Sequence, residues 1–511
     1  MQQPDSTDNQ HKPKAYDHVL KYTGLFGGIQ GIIVVLSAVR NKFATMLLGQ
    51  VGMGLIDLYN HAMGLLSNAT QFGIPVTAVR KLSKLHEEGQ TQQIRDYITV
   101  IRSWSTLTAL AGALLCMALA PLMNRMVIPT DDPTLPHFNY TLQFMLLSPI
   151  VACLTISGAE LAILKALRKL RELSVATLIG TLTTLLLTVP FYLLFGLRGI
   201  VPALVMSTLG AMLVNLSFSL RVQAWQARPF SLSTLRRGTE MIRLGLSYVL
   251  AGTVASAAEM AARAYIANHG STAEVGLYSA GCILTVSYAR LILMSMDADY
   301  FPRLSGIMGK RREMNRMINS QLEVCVLLMG PFLILFSLFL PLMIHLLFTE
   351  EFLAASSMAL CAMFSMYFKA ATAPIAYSSL AKGDSVVYFT MEFLYYVAFL
   401  LLIMLGHTLW GLPGCGIALS VANLFDLLLI STVYGVRYGF RFTGKALMII
   451  VSQGVLLAAG LWMAAQQALS LKYGVGLPVL LLSGGLSLWM LHRETTLLQS
   501  LRSLQQRLRH R

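Results

Sequence analysis

The sequence predicts an all-α polytopic membrane protein with about fourteen transmembrane helices, and two observations carry this prediction. The 511 residues are 55% hydrophobic and only 12% charged, whereas a soluble globular protein carries roughly 25% charged residues. Solidly apolar stretches recur between Tyr22 and Met490. Each stretch is about 20 residues long, which is enough to cross a bilayer core of roughly 30 Å. The connections are short and leave no room for a soluble domain.

The apolar stretches define the individual helices in chain order. The predicted ranges are 22–48, 52–79, 103–127, 139–164, 174–195, 199–220, 244–268, 276–301, 320–348, 354–381, 386–407, 411–435, 445–467 and 474–491. The first stretch is long and lacks a small-residue cleavage site, so we interpret it as a retained helix rather than a signal peptide. An even number of helices places both chain termini on one side of the membrane.

The distribution of basic residues indicates which side that is. Thirty-one of the 39 Lys and Arg residues fall in segments that share a side with the termini, and three fall on the opposite side. Because Lys and Arg accumulate in cytoplasmic loops, both termini are predicted to be cytoplasmic. The net charge of +15 is therefore mainly a topology signal and not a nucleic-acid footprint.

The cysteines and the C-terminal tail carry weaker signals. None of the six cysteines has a CxxC partner, so we expect small core hydrophobes, with no disulfide, metal site or cofactor. In the tail, Leu497, Leu501, Leu504 and Leu508 share one helical face. An interfacial helix on an anionic leaflet and an ordinary solvated tail both fit this pattern.

An internal repeat predicts the domain organisation. Arg40 and Arg263 are 223 residues apart, as are Arg80 and Arg303, and each of the two copies ends in a similar basic segment. This offset indicates two six-helix lobes in parallel orientation, and transporters commonly bind substrate where such lobes meet. The predicted parts are a cytoplasmic tail (1–21), an N-lobe (22–220), a linker (221–243), a C-lobe (244–435), two further helices (436–491) and an amphipathic tail (492–511).

Five basic residues fall inside predicted helices: Arg40, Lys42, Arg263, Arg290 and Lys369. A central Arg costs about 2.5–3.5 kcal/mol on insertion scales, so such a residue usually faces a bundle interior or a watery cavity. Arg40 lies about 27 Å along helix 1 at 1.5 Å per residue. The alternative is that helix 1 ends near Val39 and that Arg40 and Lys42 form a short periplasmic turn. We favour Arg40 for the cavity, with Lys42 on another helix face.

Acidic residues near these cations allow two interpretations. Glu259 and Arg263 are spaced i,i+4, so they can neutralise each other or line a cavity together. Asp57, Glu259 and Asp297 are candidates for coupling or gating. Arg290 and Lys369 have no acidic neighbour in the sequence. Several unpaired cations in one interior favour an anionic substrate, and a pyrophosphate suits guanidinium groups because they bind phosphate bidentately.

Several motifs carry a family resemblance. They are GGIQG (27–31), AVRNKFATMLLG (38–49), QFGIPVTAVRKLS (71–83), EVGLYSAG (274–281), MDADYFPRLS (296–305) and API…AKGDS (373–385). On these motifs the chain resembles the Wzx-like O-antigen translocases of the multidrug/oligosaccharidyl-lipid/polysaccharide (MOP) exporter superfamily. The resemblance implies a protein of the bacterial inner membrane, with two lobes around a cavity that opens alternately to either side. It also implies an undecaprenyl-pyrophosphate-linked oligosaccharide as cargo, with Arg40 at the position of a pyrophosphate-binding arginine.

The expected function is therefore a flippase and not an enzyme. Membrane lipids, a polysaccharide polymerase and glycosyltransferases are the expected partners, and no nucleic acid is expected. The alternatives are a multidrug/cation antiporter of the same superfamily, for which Glu160, Glu259 and Glu392 would serve, and a lipid II flippase. A membrane glycosyltransferase or polymerase would need catalytic acids on a large external loop, and residues 130–137 offer only Asp131 and Asp132.

Overall fold

The computed structural model describes residues 12–129, 132–224, 232–287, 289–290, 292–293, 300, 303–307 and 310–494. Every regular element in these ranges is helical, which confirms the predicted all-α membrane class. The chain divides into two compact units, Met1–Met260 and Ala261–Arg511. The lobe limits inferred from the repeat stay a prediction, and most of the predicted amphipathic tail lies outside the described residues.

Unit 1 contains six complete helices and most of a seventh. They are α1 (Lys12–Thr70), α2 (Ile74–Glu87), α3 (Thr91–Val127), α4 (Tyr140–Ala166), α5 (Leu170–Phe195), α6 (Ile200–Val222) and α7 (Leu232–His269), the last of which continues into unit 2. A short 3-10 turn, Gly196–Gly199, joins α5 to α6.

Unit 2 contains the remaining helices. They are α8 (Thr272–Cys282), α9 (Arg311–Leu338), α10 (Leu340–Leu347), α11 (Ser356–Lys382), α12 (Ser385–Tyr438), α13 (Gly444–Ala464) and α14 (Leu469–Glu494). A π turn, Ile283–Ser287, follows α8, and a 3-10 turn, Glu350–Ala355, precedes α11.

Nine stretches of the described chain are long and apolar enough to cross a membrane. Three of them, Gly28–Thr70, Leu170–Val222 and Ser385–Tyr438, contain 43, 53 and 54 residues. Because about 20 residues suffice for one crossing, each of these three stretches is long enough to cross twice. The chain is therefore a multi-pass membrane protein.

Glycine divides the two longest helices where the sequence predicts a change of span. Gly49 in α1 has φ 64° and ψ −162°, and Gly411 in α12 has φ 59° and ψ −140°. Only glycine adopts this backbone region readily, because a Cβ would clash there. In α12 the arms on either side of the break approach closely, since a Cβ added to Gly414 would lie 1.9 Å from the carbonyl oxygen of Gly406.

The predicted second helix, 52–79, is wrong at its C-terminal end. Helix α1 ends at Thr70, the backbone turns through positive φ at Phe72 and Gly73, and a separate helix α2 begins. Pro75 therefore occupies the first turn of α2, where its missing N–H costs nothing, instead of kinking a span. The apolar face of α2 packs against α3 and α4 through Leu82 and Ile163.

A buried ion pair ties α3 to α4 and α6. The guanidinium of Arg102 donates from Nε to Glu160 Oε1 at 2.9 Å and from Nη2 to Glu160 Oε2 at 3.0 Å. Arg102 also donates to the carbonyl of Gln223 at 3.0 Å and to the hydroxyl of Ser219 at 3.3 Å. Arg102 is 3% exposed and Glu160 1% exposed. Arg102 is one of the thirty-one cations predicted to lie in segments on the side of the termini, and its placement in a loop there is wrong, because Arg102 lies within α3 and is buried.

Removing one member of this pair should destabilise unit 1 strongly. We expect Glu160→Ala to lower the free energy of unfolding by about 3–5 kcal/mol, because it leaves a buried guanidinium unpaired. The matched control is Glu87→Ala, which removes a pair with Arg168 whose two side chains are 61% and 67% exposed. An exposed pair contributes only about 0–1 kcal/mol. Unfolding by SDS in mixed micelles measures both variants, and equal losses would contradict the structural role of Glu160.

Candidate functional site

Arg40 and Lys42 lie inside a continuous helix. Helix α1 runs unbroken through both residues and on to Leu48 before the break at Gly49. The alternative in which helix 1 ends near Val39 is therefore wrong. Residues two positions apart in a helix differ by about 200° around the axis, so the two cations project from nearly opposite faces.

Arg40 is a half-buried guanidinium on a helix that packs against α5. It lies within electrostatic range of the hydroxyl of Tyr192, a residue of α5 that is 3% exposed. Across the described residues, no carboxylate lies within ion-pair distance of Arg40, and its side chain makes no hydrogen bond. A guanidinium carries five N–H donors. Arg40 therefore keeps the capacity to bind an anion.

The structure brings two predicted coupling residues together through a third. His61 Nε2 lies 3.6 Å from Asp57 Oδ1, and His61 Nδ1 lies 3.4 Å from Glu259 Oε2. Two turns further along α1, Asn68 donates to the hydroxyl of Ser256 at 2.7 Å. Asp57, His61 and Asn68 follow one another at helical spacing, so they form a polar stripe on α1 that faces α7.

The repeat partner of Arg40 has different surroundings. Arg263 is 7% exposed, and its guanidinium carbon lies 5.4 Å from the ring centroid of Tyr278. This distance is typical of a cation–π contact. The side chain of Arg290 is exposed, and Asp297 lies outside the described residues.

Lys369 pairs with an acid that is remote in the sequence. Its Nζ lies 3.2 Å from Asp426 Oδ2 and 5.0 Å from the ring centroid of Tyr395. Asp426 is 3% exposed and stands 57 residues further along the chain, so only the packing of α11 against α12 reveals the pair. Lys369 is therefore largely neutralised, in contrast to Arg40.

The structure contains a further polar pair that the sequence did not predict. His407, which is 8% exposed, has its Nε2 3.0 Å from Glu274 Oε2. Beside it, Tyr265 shares a 2.8 Å hydrogen bond with the hydroxyl of Thr408. Glu274 opens the motif EVGLYSAG, but its partner lies 133 residues away, so no local pattern could have connected the two.

These helices and intramembrane charges define a polytopic membrane protein. Residues 19–308, more than half of the chain, match the polysaccharide biosynthesis protein family. The chain belongs to that family. None of the curated protein sequences compared with it matches significantly.

Solved structures show the same fold at low sequence identity. A lipid II flippase MurJ in an inward closed conformation aligns with a TM-score of 0.63 at 15% identity, covering 92% of this chain and 99% of that one. An inward-facing multidrug resistance MATE family transporter of the MOP superfamily gives 0.63 at 13% identity, covering 80% and 94%. A mutant of the Vibrio cholerae MATE transporter VcmN gives 0.55 at 16% identity, covering 82% and 96%. The chain therefore shares its fold with these solved structures.

A double-mutant cycle tests whether Lys369 is engaged by Asp426. Lys369→Met alone leaves a buried carboxylate unpaired, and Asp426→Asn alone leaves the ammonium without its counter-charge. We expect the double variant to be less destabilised than the two single losses combined, with a coupling energy of about 1–3 kcal/mol. SDS unfolding of all four proteins gives this value. Additive losses would show that the ammonium of Lys369 is available to another anion.

Proposed function

We propose that this protein is a flippase for an undecaprenyl-pyrophosphate-linked oligosaccharide, such as an O-antigen or polysaccharide repeat unit. It moves this cargo from the cytoplasmic to the periplasmic leaflet of the inner membrane by alternating access. The observation that carries the proposal is Arg40, a half-buried guanidinium without an ion-pair partner among the described residues, in a chain of the polysaccharide biosynthesis family.

The charge balance favours an anionic cargo over a cationic drug. A multidrug antiporter would want acidic and aromatic groups to hold a cation. Glu160 is already neutralised by Arg102. Glu259 faces His61. Of the acids that the antiporter alternative needs, only Glu392 has no ion pair or hydrogen bond within the described chain.

Arg40 supplies the head-group contact in this mechanism. A planar guanidinium donates two parallel hydrogen bonds to a phosphate, which holds the pyrophosphate while the polyprenyl chain remains in lipid. We assign a secondary, electrostatic role to Lys42, Arg263 and Arg290, and a mainly structural role to Lys369. Export of one negative charge from an inside-negative cell releases about 2.3 kcal/mol per 100 mV, which gives the transport its direction.

The polar stripe supplies a candidate gate. Because His61 lies between Asp57 and Glu259, a change in the protonation of His61 alters the attraction between α1 and α7. We assign Asp57 and Glu259 to coupling or gating on this basis, with Asp297 assigned from the sequence alone.

A lipid II flippase is the second candidate, because the fold is shared with the lipid II flippase MurJ. Both cargoes present a polyprenyl pyrophosphate to Arg40 and differ in the attached glycan. Complementation separates the two, since each function rescues a different deletion strain.

The experiment compares Arg40→Ala, Arg40→Lys and the exposed control Arg125→Ala in a strain that lacks its O-antigen flippase. We expect Arg40→Ala to lower surface glycan roughly tenfold to a hundredfold at normal protein levels, since a hydrogen bond to a charged group contributes about 1.5–3 kcal/mol. Arg40→Lys should retain part of the activity, and Arg125→Ala should match the wild type.

Two results would overturn the proposal. One is full glycan export by Arg40→Ala at wild-type protein levels. The other is a wild-type protein that protects cells from cationic drugs and fails to restore glycan, which would establish the antiporter instead.

A further inference from the structure

A second group of cations surrounds a recess at one end of unit 2, remote in the sequence from Arg40. The recess has a volume of about 980 Å³ and lies between the first three turns of α9, the connection between α12 and α13, and the start of α13. Ligand pockets commonly measure about 300–1,000 Å³. The recess is therefore large enough for a polar head group.

Hydrogen bonds between two asparagine side chains of α9 and the backbone hold the far wall of this recess in place. Asn315 donates to the carbonyl of Arg441 at 3.0 Å and accepts from the amide of Arg441 at 2.9 Å. Asn319 accepts from the amide of Thr443 at 2.9 Å and donates to the carbonyl of Arg441 at 3.0 Å. Thr443 in turn caps α13 by accepting from the amide of Ala446 at 3.1 Å. The side chain of Arg441 plays no part in these bonds.

The lining carries a large excess of positive charge. Arg311, Arg312, Arg316, Arg441 and Lys445 face a single carboxylate, Glu323. That carboxylate pairs with Lys445 at 3.1 Å. Within the described part of the chain, none of the four arginines has a carboxylate at ion-pair distance.

The cations around the recess repel one another as long as no anion is bound between them. Arg312 and Arg316 are spaced i,i+4 on α9, where like charges repel. Arg311 also repels Lys382 at the end of α11. In addition, both α9 and α13 begin at the recess, and a helix N-terminus carries a partial positive charge that favours anions.

We propose that this recess, the basic recess, binds a phosphate-bearing anion. Four exposed guanidinium groups and two helix N-termini match the charge and geometry of phosphate oxygens. The recess lies where two apolar spans begin, Arg311–Leu338 and Gly444–Ala464. A phospholipid head group at the membrane surface and a soluble diphosphate both present this chemistry. The recess residues belong to unit 2 and Arg40 belongs to unit 1, so this proposal does not depend on the proposed cargo.

The test uses the full-length protein in nanodiscs and has two arms. In the lipid arm, phosphatidylcholine discs with and without phosphatidylglycerol are compared by thermal unfolding and by native mass spectrometry of retained lipid. In the soluble arm, phosphatidylcholine discs are titrated with inorganic pyrophosphate. A response in the first arm assigns the site to membrane lipid, a response in the second assigns it to a soluble phosphate, and no response in either overturns the proposal.

Matched variants show whether the basic recess is responsible. The recess variant carries Arg312→Gln, Arg316→Gln and Arg441→Gln, and the control carries Lys84→Gln, Arg95→Gln and Arg171→Gln. All six residues are exposed, and both triple variants lose three charges. We expect the recess variant to bind at least about tenfold more weakly, because bidentate charge-assisted bonds are lost, and the control to bind like the wild type. Equal weakening in both would show non-specific attraction and overturn the proposal.

A second set of substitutions tests the proposal if the Gln recess variant fails to fold. Arg→Lys at positions 312, 316 and 441 preserves the charge and removes the bidentate geometry. We expect affinity several-fold below the wild type but above the Gln variant, because an ammonium binds phosphate as a point charge. Wild-type affinity in this Lys variant would overturn the assignment of phosphate recognition to the guanidinium groups.

Discussion

The structure depends on one constraint, which is that a charge inside an apolar helix bundle needs a partner. The free energy of insertion rises with every unpaired charge, so most buried ions in such proteins are paired or face water. The guanidinium of Arg102 is buried against Glu160, the ammonium of Lys369 against Asp426, and Arg263 lies over the ring of Tyr278. Arg40 is different, because its guanidinium has no such partner in the described part of unit 1. A residue that is costly to insert and has no structural partner is a candidate for binding an external ligand.

The same reasoning separates sites from scaffolding elsewhere in the chain. Glu160 and Lys369 look equally unusual in the sequence, yet each has a partner, which gives it a role in packing. The basic recess shows the opposite outcome, since its asparagines hold the backbone while its arginines remain available. In these two proposals, Arg40 in unit 1 binds the head group of the transported molecule, and the basic recess in unit 2 binds a separate phosphate-bearing anion.

Local features of the sequence predicted most of the fold. Apolar runs determine spans because each helix satisfies its own backbone hydrogen bonds, and Gly49 and Gly411 mark breaks because only glycine adopts their backbone angles. The predicted second helix is too long because it follows the apolar pattern through residues 67–75, SNATQFGIP, although Ser, Asn, Thr, Gly and Pro in this segment favour the turn found at Phe72 and Gly73. The partners of Arg102, Lys369 and His407 could not be predicted, since they lie 58, 57 and 133 residues away and depend on helix packing.

Direct binding of the lipid carrier to the purified protein tests the central claim that Arg40 recognises a pyrophosphate. Native mass spectrometry would compare undecaprenyl pyrophosphate with uncharged undecaprenol, for the wild type and for Arg40→Ala. We predict that the wild type prefers the pyrophosphate by about tenfold or more, as expected for charge-assisted hydrogen bonds, and that the substitution removes most of this preference. An undiminished preference in Arg40→Ala would contradict the assignment of the head group to this residue.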